Sequence, residues 1–349
     1  MLHGKNTIAI PPGATIHDQL CNRGMSQKEF ALRMDMSEKH ISHLINGKVE
    51  LTKDVALRLE FVLGLSANFW NNLEMIYRDQ LVRVKTELAR ECDKEIARNM
   101  PYSKMASLGW VPVTRKIEAK IDHLRSFFEV ARLEAIHKLT IPGIAYRASN
   151  GDKTNDYMLA AWAQKAKLEA RDNHTEDINI QKLKRNLSKI RALTTKSPDF
   201  FCDELKSMLA ECGVAIVFLP HIGGSFLHGA TFIDGGHIVI GLTVRGKFAD
   251  LFWFSLFHEL GHIFKGHIYN LKSFDNDNEK QADEYARDYL IPPSEYENFV
   301  NCTDKSAASI ISFAKQINID PGIVLGRLQK DGIVDYSWHH RLKTKYAIQ

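Results

Sequence analysis

The chain has 349 residues, 44% hydrophobic and 25% charged, an ordinary globular composition with length for about two domains. Low-complexity tracts, internal repeats and eighteen-residue apolar runs are absent from the sequence, which argues against disordered, solenoid and membrane-spanning classes. The formal net charge of +4 is uneven: residues 1–80 balance nine basic against nine acidic side chains, residues 81–200 carry 23 against 15, and residues 201–349 carry 14 against 18. The opening MLHGKNTIAIPPGA has no cationic start, apolar run and small-residue cleavage site, and the five cysteines are scattered without a CxxC pair. A cytoplasmic protein without thiolate metal ligands is therefore expected.

Residues 14–80 read as short helices with clear punctuation. Ser26 and Glu29 form a capping-box pattern ahead of Phe30, Ala31 and Met34, which share a face. Ser37 suits the N-cap of a second helix with Ile41, Leu44 and Ile45 inside and Glu38, Lys39, Ser42 and His43 outside, and Asn46-Gly47 ends it. Two short helices joined tightly are the plan of a helix-turn-helix.

The run SQKEFALRMDMSEKHISHLINGK resembles the phage-repressor (XRE) helix-turn-helix. From PPGATIHDQL through LTKDVALRLEFVLGLSANFWNNLEMIY the chain is similar to the HigA type of antitoxin, over roughly residues 10–78. The resemblance implies major-groove binding to a palindromic operator by a homodimer, with Gln27 on a phosphate and Glu38, Lys39 and His43 at base edges. Lys39 could donate to guanine and Glu38 accept from cytosine. The segment's zero net charge leaves little non-specific phosphate attraction unless the basic middle contributes.

From Leu81 to Thr195, Lys, Arg, Glu, Ala and Leu dominate, and spacings such as Leu124, Phe127, Phe128 and Ala131 predict mostly helix. Breaks are expected at Pro101, Gly109–Pro112, Pro142-Gly143 and Asn150-Gly151. The charge reads as a solvated helical connector or a phosphate-contacting face, while Trp162 and Leu168 point to a later helix packed on the domain that follows.

Ala215–Leu219 and His237–Leu242 read as strands, with a possible third over Phe226–Phe232, separated by Gly223-Gly224 and Gly235-Gly236. A small, mostly antiparallel sheet is expected. Then His258-Glu-Leu-Gly-His262 interrupts an apolar helix. Four residues apart on a helix, His258 and His262 can share one metal ion, and Glu259 can reach a water on it. Burying these groups without a partner would be costly.

A metzincin would require Gly at 265 and His at 268, where the chain has Lys265 and Ile268. A following helix with Ala282, Tyr285, Ala286 and Tyr289 inside places Glu279 on the same face as a third ligand, and Asp283 one turn on as an acceptor for a ligand's ring. His267 and His228 are candidate donors to an oxyanion. Residues 307–328 predict two more short helices around Ile319-Asp-Pro-Gly, suited to packing or substrate capture.

HELGH followed by Glu279-Lys-Gln-Ala-Asp283 and Tyr-Leu-Ile-Pro resembles the ImmA/IrrE metallopeptidase family, over most of residues 140–349. Gln281 departs from the pattern, standing where many relatives have a second Glu. The resemblance implies a gluzincin-like Zn2+ site of His258, His262 and Glu279, with Glu259 as catalytic base. It also implies a protein substrate, a repressor or antitoxin.

The expected fold is mainly α with a small β-sheet (α+β). An all-α helix-turn-helix domain occupies 1–80, and a basic helical connector occupies 81–198, its later part packing on the peptidase domain. A zincin-like α+β domain with a helical tail occupies 199–349. The competing reading is a HigA-like antitoxin or autorepressor whose peptidase-like domain senses a signal or binds a cognate toxin with little turnover.

Overall fold

The structure is a computed structural model describing residues 2–4, 7–138, 153–220, 228–243, 248–269, 276–302 and 304–346. It is mostly helical and divides into two compact units, Met1–Ile96 and Ala97–Gln349.

The first unit opens with a two-residue hairpin, β1 (Leu2–His3) and β2 (Ile8–Ala9), followed by α1 (Pro12–Asn22), α2 (Gln27–Arg33), α3 (Glu38–Ile45), α4 (Lys53–Leu63) and the long α5 (Ala67–Asn99). Hydroxyls begin three of these helices: Ser26 accepts from the Glu29 amide, Ser37 from His40 and Thr52 from Val55. The reciprocal half of the capping box at Glu29 does not form, because its carboxylate accepts from Arg33 Nε and Nη2 at 3.1 and 2.7 Å instead. Phe30, Ala31, Met34, Ile41 and Leu44 enter one core with Ile16, Leu59 and Trp70. Gly47, at φ +67°, turns the chain after α3 where any Cβ would sit 2.8 Å from Pro11.

No break occurs near residue 80, where α5 continues unbroken. The stretch expected as a connector therefore divides: residues 81–96 belong to the helix of the first unit, and the chain from Ala97 onward lies in the second. The breaks at Pro101 and Gly109–Pro112 are present on either side of α6 (Tyr102–Ser107); those at Pro142-Gly143 and Asn150-Gly151 fall outside the described residues.

In the second unit, a three-stranded sheet is covered on both faces. Its strands are β3 (Val214–Leu219), β4 (Gly229–Asp234) and β5 (His237–Thr243), in the order β3-β5-β4. The expectation of a mostly antiparallel sheet is corrected: β4 and β5 pair antiparallel through the Gly235-Gly236 turn, but β3 and β5 run parallel. A strand buried on both faces lacks the apolar-polar alternation of a one-faced sheet, so its sequence does not encode direction. The third strand also lies later than Phe226–Phe232, and residues 226 and 227 are outside the described set.

Alternate positions along the strands serve different cores. Ala215, Val217 and Val239 meet Trp162 and Ala166 of α8 (Lys153–Arg171), after α7 (Ile117–Phe128). Ile216, Ile238 and Ile240 face the opposite core, shared by α9 (Ile180–Ala192), α10 (Pro198–Ala210) and α11 (Ala249–Phe264). Gly241 is the clearance for Trp162, since a Cβ there would lie 2.4 Å from the indole ring. The expected packing of Trp162 is thus onto the sheet. Beyond α11 come α12 (Asn276–Leu290), α13 (Pro293–Asn301), α14 (Ala307–Gln316) and α15 (Pro321–Lys330).

Candidate metal centre and helix-turn-helix face

Helix α11 is the centre of the larger core, with Trp253, Leu256, Phe257 and Leu260 fully buried, and its polar residues share that burial. His258, Glu259 and His262 are only 8%, 2% and 2% exposed. Helix α12 crosses it where Gly261 meets Ala282: a Cβ on Gly261 would lie 3.1 Å from the Ala282 Cα. Stacked pairs Phe257–Tyr289 and Phe264–Tyr285, with ring centroids 5.4 and 5.6 Å apart, flank the crossing. The small residues permit close approach, and the apolar stripe of α12 brings Glu279 and Asp283 against the two histidines.

Ligating atoms of His258, His262 and Glu279 all lie within 4.8 Å of one another. The Nε2 atoms of the histidines are 3.0 Å apart, and Glu279 oxygens are 3.4 Å from His258 Nε2 and 3.7 Å from His262 Nε2. Donors bound tetrahedrally at about 2.0–2.1 Å are separated by roughly 3.3 Å, so the two Nε2 atoms, with one Glu279 oxygen near each, stand close to the spacing a single zinc ion would need. Asp283 Oδ1 contacts His258 Nδ1 at 2.7 Å, fixing that ring with Nε2 turned inward. Burial by itself would lower the His258 pKa, but Asp283, Glu279 and Glu259 together outweigh it and push it up to about 9.

His267 is placed differently from the oxyanion-donor expectation. Gly266, at φ +74°, folds the chain back after α11, so that His267 Nδ1 reaches His262 Nδ1 at 3.0 Å, behind the ring and away from Nε2. His267 therefore orients His262 as Asp283 orients His258. His228 lines the same cavity as His258 and Glu259.

Glu259 is gripped by strand β4. Thr231 Oγ1 donates to its Oε2 at 2.7 Å, and a Cβ at Gly229 would come 2.7 Å from Oε1. Gly229 and Thr231 are two apart on one face of the strand, so one side leaves space for the carboxylate and the other holds it. Sequence reasoning missed Thr231; the available signal was a glycine inside a strand, which marks a close approach.

In the first unit, Gln27, Glu38 and Lys39 are exposed and His43 is half-buried. They occupy the starts of α2 and α3 and the outer side of α3, opposite Ile41 and Leu44. Arg58 secures the intervening turn by donating to the Met34 carbonyl at 3.0 Å. The turn contains Asp35 at φ +52°.

Residues 16–70 match the helix-turn-helix family model. Over 63 residues the chain is 36% identical to the uncharacterized HTH-type transcriptional regulator YddM of Escherichia coli (strain K12), a match spanning 18% of this chain and 67% of that protein. A solved addiction module antidote protein of a HigA family from Coxiella burnetii is 28% identical, covering 22% of this chain and 86% of that one at a TM-score of 0.22. No helix among the described residues is long and apolar enough to cross a membrane.

Proposed function

Because this chain belongs to the helix-turn-helix transcriptional regulators, through residues 16–70, we propose that it binds operator DNA and that its second unit is a zinc-dependent endopeptidase. Its substrate is a regulatory protein, a repressor or an antitoxin. Lys39, Glu38 and His43 on α3 read base edges, Gln27 contacts phosphate, and a homodimer supplies two recognition helices to a palindromic operator.

The observation that carries the peptidase reading is the spacing of 3.0, 3.4 and 3.7 Å among donors on His258, His262 and Glu279. When bound, the ion supplies Lewis acidity, polarising a peptide carbonyl and acidifying a water. Glu259, held by Thr231, takes the proton from the attacking water and delivers it to the leaving amine. His228, on the wall of the same cavity, donates to the developing oxyanion. Asp283 and His267 keep the two imidazoles turned toward one point.

The test combines metal analysis of protein purified without added zinc with the Glu259→Gln variant. Stoichiometric zinc in both, with loss of substrate cleavage in the variant alone, is the expected result. Protein without zinc, or cleavage undiminished in Glu259→Gln, overturns the reading.

A further inference from the structure

Beside the candidate metal centre lies a cavity of about 480 Å³ whose opposite wall is unused by the chemistry above. Ile323, Arg327 and Lys330 line it from one stripe of α15, at positions i, i+4 and i+7. Arg287 of α12 and Lys343 of the tail also face it, so four cations line the cavity, with Asp250 beside them and Glu259, Glu279 and Asp283 on the side of the metal centre. Lys343 is paired with Asp250 at 2.8 Å and Arg287 with its neighbour Asp288 at 2.6 Å.

Arg327 is paired as well, but through Nε alone, and Lys330 is not. Arg327 donates from Nε to Asp331 Oδ2 at 2.6 Å, and its guanidinium lies 4.5 Å over the Tyr296 ring, while the Tyr296 hydroxyl donates to the same carboxylate oxygen at 2.7 Å. This fixes the guanidinium and leaves its terminal nitrogens as donors, at 18% side-chain exposure. Lys330 is exposed and has no acidic partner among the described residues. A guanidinium already held in place binds a carboxylate with little further loss of side-chain entropy, and the charge-assisted bond is stronger than a neutral one. Leu251 and Phe254, 42% and 37% exposed, line the same cavity, an apolar surface for the backbone and neighbouring side chains of an extended segment.

We propose that this cavity selects protein substrates bearing an aspartate or glutamate within a few residues of the bond to be cut, its carboxylate held by Arg327 and Lys330. The inference rests on the peptidase reading. A lysine or arginine at the same place in the substrate meets like charge and is rejected.

The zinc-loaded full chain is incubated with a peptide pool prepared from a proteome digest, and cleavage sites are identified by mass spectrometry. Sites with Asp or Glu within three positions are expected to exceed their Asn and Gln counterparts by about tenfold, the scale of one charge-assisted contact. Lys330→Glu is expected to abolish that excess. Arg327→Gln, which removes one charge without introducing a repulsive one beside Asp331, is expected to reduce it severalfold. Both variants should keep stoichiometric zinc. Because the readout is a ratio within each digest, lost turnover does not imitate lost preference. Cleavage with no acidic excess, or an excess that survives both variants, overturns the inference and leaves the peptidase reading standing. Cleavage by the wild type no greater than by Glu259→Gln removes both.

Discussion

The two units keep their candidate functional polar groups in opposite surroundings. On α2 and α3, Gln27, Glu38 and Lys39 are exposed, and the fold beneath them depends on Phe30, Ile41 and Leu44. In α11, His258, Glu259 and His262 are themselves part of the core. An exposed reading face can change its chemistry with little effect on stability. A buried centre cannot, because each polar atom left without its partner costs free energy.

The sharpest break in this comparison is Glu259→Gln, expected to lower peptide cleavage by about 10²–10⁴-fold while zinc content holds, measured by turnover and metal analysis. Loss of zinc in that variant would make Glu259 a ligand and not a base. On the exposed side, Lys39→Ala combined with His43→Ala should cost about 1–3 kcal/mol of operator binding per lost base contact. The same pair should shift unfolding by no more than about 0.5 kcal/mol, checked by operator titration alongside thermal melts. Operator binding that survives the pair would remove α3 from the groove.

Asp283→Asn should weaken zinc binding about 10–100-fold, read by competition with a chelating dye, since it loosens His258 without touching the ion. Gly229→Ala should destabilise by about 1–3 kcal/mol in denaturant unfolding, because the new methyl occupies the space of the Glu259 carboxylate. A gentler probe is pH. His258 is pushed up from 6.5 to about 9 in the metal-free fold, so the stability it contributes is fully present below about 6.5 and is lost as pH rises through 9. Melting temperatures of the metal-free protein should fall across that window, and Asp283→Asn should flatten the fall.

Legibility differed between the units for physical reasons. The helices of the first unit announce themselves locally, through Ser26, Ser37 and Gly47, because caps and turns are settled within a few residues. Glu279 was also legible, since helical periodicity relative to Ala282 and Ala286 turns it toward the histidines, while Asp283 meets His258 from a side chain that stays 59% exposed. The Thr231–Glu259 bond was not, because it joins a strand and a helix 28 residues apart in sequence. His267 misled for a related reason. Its distance from His262 is short, but the turn at Gly266 decides which side of the ring it meets. Likewise the parallel pairing of β3 with β5 leaves no trace in strands buried on both faces.

The close crossing at Gly261 has one more consequence. It fixes how far α12 stands from α11, and so how far Glu279 stands from the histidines, which makes the missing side chain a gauge of ionic size. A methyl group at Gly261 would wedge the helices apart by a few tenths of an ångström. On the proposed metal reading the donor cage would widen with them, weakening its fit to zinc relative to a larger ion such as manganese. On that reading, the ion the site prefers is set by an atom that is not there.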